Sequence, residues 1–339
     1  MTLRRERNRG MKKLFSILLS AALLAGCGGN PTPVPTETSQ PTETPVVEET
    51  TNDEGIAVEN DLEQTGLSVL TPFGAPALSL VPVIKDDLAD VTSVSGPDPL
   101  LAAFVQPEPE YDVIVASTNL GIKLHNAGKS KYKLLSIVTF GNLYIVGEND
   151  DALEQEGEMA CFGEQAVPGL VFKEEFKDVK PNITWYSSVA DASAALISGN
   201  ANVALLAQPI ATVTMKKAKE NGKDLKIIKD LQKEWGEGGY PQAGVFVRED
   251  LYEDNPEAFN SLVSIMANYD NNVPDTETLA SDIEACNPKE TLGIPKAQLA
   301  AKVWNQMNIR IVPAKDVEED LTKFLNVFGI EDVENAIVK

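Results

Sequence analysis

Histidine is nearly absent from this sequence: His125 is the only one among 339 residues. With it alone, a His-based catalytic triad, a zinc site built on several histidines and an H-E-x-x-H motif are excluded. Cysteine is almost as scarce, with Cys27, Cys161 and Cys286 the whole complement. Cys161 and Cys286 read as two separate semi-buried thiols; pairing in an oxidising compartment is the alternative. Basic residues are also few, 29 against 51 acidic. Residues 1–26 hold six of the basic residues and one acidic, so the remainder has 23 against 50, a net charge of −27. Such a chain is repelled by nucleic acid and by anionic lipid headgroups, and its overall field does not steer anionic ligands. Long apolar runs are limited to one, Leu14–Leu24, and no second run reaches transmembrane length. There is no G-x-S-x-G elbow, no carboxylate spacing that marks a glycosidase pair, and no internal repeat.

What is present organises around Met11–Cys27, MKKLFSILLSAALLAGC. Lys12 and Lys13 precede the apolar run, which is about the length of a signal-peptide core and short for a membrane span. It ends in Leu24-Ala25-Gly26-Cys27, small residues that suit a peptidase groove followed by a thiol that can carry lipid. This resembles the lipobox of bacterial lipoproteins. The resemblance implies a signal peptide over 1–26, a diacylglyceryl thioether on Cys27 and an extracytoplasmic, membrane-tethered mature chain. Met1–Gly10 is Arg-rich, and Met11 is an alternative initiator. Residues 27–65 continue as a Pro-, Thr- and Glu-rich stretch too poor in large apolar residues to order itself, and read as a tether.

From Leu67 onward short apolar segments alternate with helical ones. LSVLT, VTSVS, YDVIVA, KLLSIVTF and LYIVG read as strands, followed by GEMACF, ITWY, NVALLA, LKIIKD and AGVFVR. A helix is expected over ALSLVPVIKDDL, kinked by Pro82, and Asn119 is placed as the N-cap of a helix through His125. Leu231–Pro241 reads as loop. The alternation argues a parallel α/β architecture. The last block, from Pro256, is mostly helical and is expected to return and pack on the first lobe. Lobe one is accordingly assigned to 66–146 and 243–339, lobe two to 147–242.

Four segments carry a further resemblance: TPFGAPAL (71–78), ASTNLG (116–121), CFGEQAVP (161–168) and GNANVALLAQPIAT (199–212). With the lipobox and tether they resemble the substrate-binding lipoproteins of ABC importers, more narrowly the nitrate/sulfonate/taurine and thiamine-pyrimidine binding group. The resemblance implies a two-lobed type II periplasmic-binding fold, two crossovers at a hinge and a ligand cleft between the lobes. It also implies permease and ATPase partners, a monomeric binding protein, and no cofactor. Some relatives act in pyrimidine synthesis through a Cys-rich stretch and a His; only Cys161 stands here, so that activity is not carried over.

In open α/β sheets ligands bind beyond the carboxyl ends of the strands. That rule nominates Thr71, Phe73, Gly74 and Ala75, then Ser117, Thr118 and Asn119 in lobe one. In lobe two it nominates Phe162, Gly163, Glu164, Gln165 and Gln208, with Trp235, Tyr240 and Gln242 as walls near the second crossover. No Arg or Lys sits in these loops and Glu164 repels an anion, so a neutral or cationic, flat heterocyclic ligand is favoured, stacked on Phe73 and a lobe-two aromatic. Three functions follow from such a chain: capture for an importer, ligand sensing by the same fold for a membrane partner, and an extracellular enzyme. Capture is favoured.

Overall fold

The computed structural model describes residues 65–339; the apolar run, Cys27 and nearly all of the Pro/Thr/Glu-rich stretch lie outside them. Among the described residues no helix is long and apolar enough to cross a membrane.

The strands are β1 (Ser68–Pro72), β2 (Asp90–Val94), β3 (Val113–Ser117), β4 (Tyr132–Thr139), β5 (Leu143–Gly147), β6 (Glu158–Phe162), β7 (Asn182–Tyr186), β8 (Val203–Ala207), β9 (Lys226–Asp230), β10 (Ala243–Arg248) and β11 (Ile309–Pro313). They form two sheets, one with the order β11-β4-β10-β3-β1-β2 and the other β7-β6-β8-β5-β9. The apolar runs that read as continuous are central strands: four of the five residues of β3 and of β8 are buried. Such strands are covered on both faces.

The sheets are mixed, not parallel throughout. β1 runs parallel to β2 and β3, and β6 to β7 and β8. β10 is antiparallel to both of its neighbours, and so is β5. β5 and β10 are the two strands that enter a sheet straight from the other lobe. A parallel neighbour needs a crossover of a dozen or more residues within its own sheet, and neither strand has one.

The first crossing is Phe140–Asn142, because Leu143–Gly147 pairs with β8 and β9. The boundary expected between 146 and 147 therefore falls one strand late. Gly141-Asn142 reads locally as a turn between two strands of one lobe, and an apolar run looks the same in either sheet. The chain returns over Leu231–Gln242. Its first part is a helix, Leu231–Trp235, where loop was expected; Asp230 caps it by accepting from the Lys233 amide at 3.2 Å.

Two other local expectations change. The helix over 77–88 is two short helices, Ala75–Leu78 and Val81–Lys85, each with a Pro in its first turn. Pro82 restarts a helix instead of kinking one, because a missing N–H costs nothing there. The helix after β3 is Thr118–Asn126 with Ser117, not Asn119, at the N-cap.

The C-terminal block covers the first sheet. Helix Pro256–Asn271 lays Phe259, Leu262 and Met266 against Val69, Val113, Val115 and Val245. Helices Thr276–Ala285 and Ala297–Lys302 pack with Ala75, Leu78 and Trp304, and Cys286 is buried among them. Cys161 lies in β6 of the second sheet; both thiols are free. Burial pushes each of them up to about 12.

Candidate functional site

A cleft of about 350 Å³ opens where the strand ends of the two sheets face one another. From the first lobe it is lined by Pro72, Phe73, Gly74 and Ala75 beyond β1, Ser117 at the end of β3, and Gln242 and Ala243 where β10 begins. From the second it is lined by Leu143, Phe162 at the end of β6, Val189, and Ala207, Gln208, Pro209 and Ile210 beyond β8. Gly293 and Ile294 add a wall from the C-terminal block.

Phe73, Gly74 and Gln208 are held in place by their neighbours. The Phe73 amide donates to Val94 O at 3.0 Å and the Gly74 amide to Leu292 O at 2.9 Å, so the turn after β1 is fastened on both sides. Gly293 has φ +65, and a Cβ there would lie 2.3 Å from Phe73 Cγ. Only glycine lets the Phe73 ring rest on that backbone. Ser117 caps its helix by position alone, since its hydroxyl makes no capping bond. Gln208 is 2% exposed and its side-chain amide is held at both its oxygen and its nitrogen. Its Oε1 accepts from the Thr212 amide (3.2 Å) and hydroxyl (3.0 Å), and its Nε2 donates to Gln306 Oε1 at 2.6 Å. Gln208 therefore serves the cleft as a fixed wall.

The polar demand of the cleft sits at Gln242. Its backbone amide donates to Thr139 O at 2.9 Å and its carbonyl accepts from the Thr118 amide at 3.0 Å. Among the described residues four buried side-chain polar atoms lack a partner, Ser93 Oγ, Asn119 Oδ1, Thr139 Oγ1 and Gln242 Oε1, and of these residues Gln242 alone lines the cleft. Ala243, the next residue, stands opposite Ser117 on one side and Thr139 on the other. Buried acceptors are normally paired, at a cost of about 1–3 kcal/mol when they are not. Gln242 is thus the lining residue with an acceptor left unpaired.

The lining contains no ionisable side chain. Glu164 and Gln165 are exposed and are not part of it, and Glu164 is matched by Lys173 at 3.1 Å. Gly163 forms the turn beneath them, its carbonyl accepting from the Ala166 and Gly169 amides. Thr71 is an interior residue of β1, and Thr118 ties the helix start to the second crossing through Pro241 O at 2.8 Å. Trp235 and Tyr240 do not line the cleft either. Tyr240 is fully buried, stacks on Phe324 at 5.3 Å, and donates to Gln232 Oε1 at 3.2 Å; Trp235 stands edge-on to both rings. Of the nominated residues, the cleft gathers Phe73, Gly74, Ala75, Ser117, Phe162, Gln208 and Gln242. It adds Gly293 and Ile294, which carry no local sequence signal. His125 is elsewhere, its Nδ1 3.1 Å from Tyr132 O. Among the described residues no group of three or more His, Cys, Asp or Glu converges to hold a metal.

No family model matches the sequence, and no curated protein does. Solved structures match by fold. An ABC transporter structure from Parabacteroides distasonis superposes with a TM-score of 0.67 at 18% identity, over 81% of this chain and 99% of that one. The zinc-bound ligand-binding component of an ABC-type import system from Staphylococcus aureus gives 0.60 at 12% identity, over 80% and 96%. The periplasmic aliphatic sulphonate binding protein of Escherichia coli gives 0.59 at 15%, over 81% and 92%. The chain thus has the two-lobed α/β fold of periplasmic binding proteins.

Proposed function

We propose that this protein is the solute-capturing component of an ABC importer, lipid-anchored through Cys27 on the outer face of the bacterial cell membrane. The observation that carries the reading is the interlobe cleft: uncharged, walled by Phe73, Phe162 and several prolines, with the unpartnered Oε1 of Gln242 at one side. Ligand sites of this kind draw affinity from apolar burial and orientation from a few placed polar groups. Closure of the lobes on a hinge hides the ligand and gives a permease one shape to recognise. The fold shared with import-system binding components supports the role, and the lipobox-like Leu24–Cys27 supports the address.

The ligand we propose is a small, flat, uncharged or cationic heterocycle that carries N–H donors. A donor satisfies Gln242 Oε1, and flat faces suit Phe73 and Phe162. An anion finds no Lys or Arg in the lining. The protein acts as a monomer, without cofactor, and captures its ligand without turnover.

A thermal-shift panel of N–H heterocycles, amines and sulfonates tests this. A ligand that binds only the folded state raises the melting temperature by mass action. Stabilisation by donor-bearing heterocycles that is lost in Gln242→Leu is the expected result. A preference for sulfonates refutes the ligand assignment.

A further inference from the structure

Two peptide crossings join the lobes, and a third segment lies against both. It is Gln306–Arg310, the approach to β11 and its first two residues. On one side the segment belongs to the first lobe: Ile309 pairs with Thr139 of β4, and Trp304 and Met307 just before it are buried among the first-lobe helices. Every second residue from Gln306 reaches the other way.

The Gln306 carbonyl accepts from the Tyr144 hydroxyl at 2.6 Å, and its Oε1 accepts from Gln208 Nε2 at 2.6 Å; both donors belong to the second lobe. The Asn308 carbonyl accepts from the Phe140 amide at 2.9 Å, and its Nδ2 donates to Gly141 O at 2.9 Å, holding the first crossing. The Arg310 guanidinium lies 3.9 Å over the Phe140 ring and donates to Gly238 O, so it spans both crossings at once. Asn308 sits at φ +47, a conformation that asparagine tolerates better than most residues. Gln306 and Arg310 are exposed, so core packing does not explain their placement.

We propose that Gln306–Arg310 is a clamp on the hinge that sets the balance between arrangements of the two lobes. This rests on the reading of the cleft as a capture site that opens and closes. Opening moves Tyr144 and Gln208 past Gln306 and twists the two crossings away from the Asn308 and Arg310 contacts. The bonds favour the arrangement described, and each contributes about a five-fold factor to its population at the usual net value of a hydrogen bond. Apparent affinity scales with the fraction of molecules in the competent arrangement, so the clamp tunes capture without touching the ligand.

Single-molecule energy transfer on the ligand-free full chain tests it, with dyes placed through unnatural amino acids at Glu257 of the first lobe and Lys217 of the second, both exposed. Gln306→Ala and Arg310→Ala are each expected to move about five-fold of the population ratio away from the wild-type distribution. Arg310→Lys, which keeps a cation over Phe140 but loses the guanidinium fork, is expected to fall between. The urea midpoint is read in parallel. Wild-type distributions in both alanine variants overturn the clamp, as do distributions that change only as far as the midpoint falls. No ligand enters the measurement, so failure of the capture reading leaves its result intact, and ligand binding with unchanged distributions sinks the clamp alone.

Discussion

Replacing Gly293 by Ala tests whether the cleft wall is built as described. Two costs add. The residue sits at φ +65, where a Cβ costs about 1 kcal/mol relative to glycine. The new Cβ would also lie 2.3 Å from Phe73 Cγ and 2.4 Å from Phe73 Cβ. The second distance matters more, because Phe73 Cβ is fixed to a backbone tied down at Val94 O and Leu292 O, and rotation of the ring cannot relieve it. Overpacking of that kind costs about 1–3 kcal/mol, for a total of roughly 2–4 kcal/mol. Urea unfolding with an unchanged slope reads the loss directly. The double variant Gly293→Ala/Phe73→Gly removes both clashing atoms but keeps the backbone term at 293, so the two substitutions should be favourably coupled by about 1 kcal/mol or more. A Gly293→Ala variant that loses less than about 0.5 kcal/mol, or strict additivity in the double variant, refutes the contact.

Gln232→Leu should cost about 2–4 kcal/mol in the same assay. Gln232 is 5% exposed, and its amide accepts from Leu143 N at 2.7 Å and donates to Leu143 O at 3.1 Å, so its loss orphans two buried backbone groups and the Tyr240 hydroxyl. The buried thiols give the molecule an alkaline weakness. Both titrate near 12 when folded and near 9 when unfolded, so above pH 9 the unfolded chain releases protons that the folded chain keeps. Stability is unaffected below pH 9 and falls by roughly 1 kcal/mol per thiol for each further pH unit up to about 12. Cys161→Ala should make that decline shallower across a pH series of urea melts; an unchanged slope contradicts the burial. A thiol reagent at pH 8 should leave Cys161 and Cys286 unmodified in the folded protein and reach both in urea.

Strand positions were legible because buried strands are continuous apolar runs, and β3, β5, β8 and β10 all stand out that way. Strand ends then led to Phe73, Ser117, Phe162 and Gln208, which meet in the cleft. What the local pattern could not carry was which lobe a run joins. Leu143–Gly147 looks alike in either sheet, and only its pairing with β8 decides. Trp235 and Tyr240 sit close to a crossing, where an aromatic serves a cleft wall or a hinge core equally well. The deciding partner, Phe324, lies on the C-terminal helix Glu318–Asn326, far along the chain. Gln208 stands at the cleft, but its amide is tied to Gln306 and Thr212, and the Gln306 pairing is one that no short motif announces. In the loop sequences Glu164 reads as a charge at the cleft; it lies outside the lining and pairs with Lys173, so the lining carries no charge at all.

On the proposed reading, the uncharged interlobe cleft holds one small donor-bearing molecule. Native mass spectrometry of the protein purified without denaturation tests it most directly. A single bound small molecule, uncharged or cationic, released on unfolding and lost in Phe73→Ala and Gln242→Leu, is the expected result. A bound sulfonate or other anion, or a molecule retained equally by both variants, would contradict it.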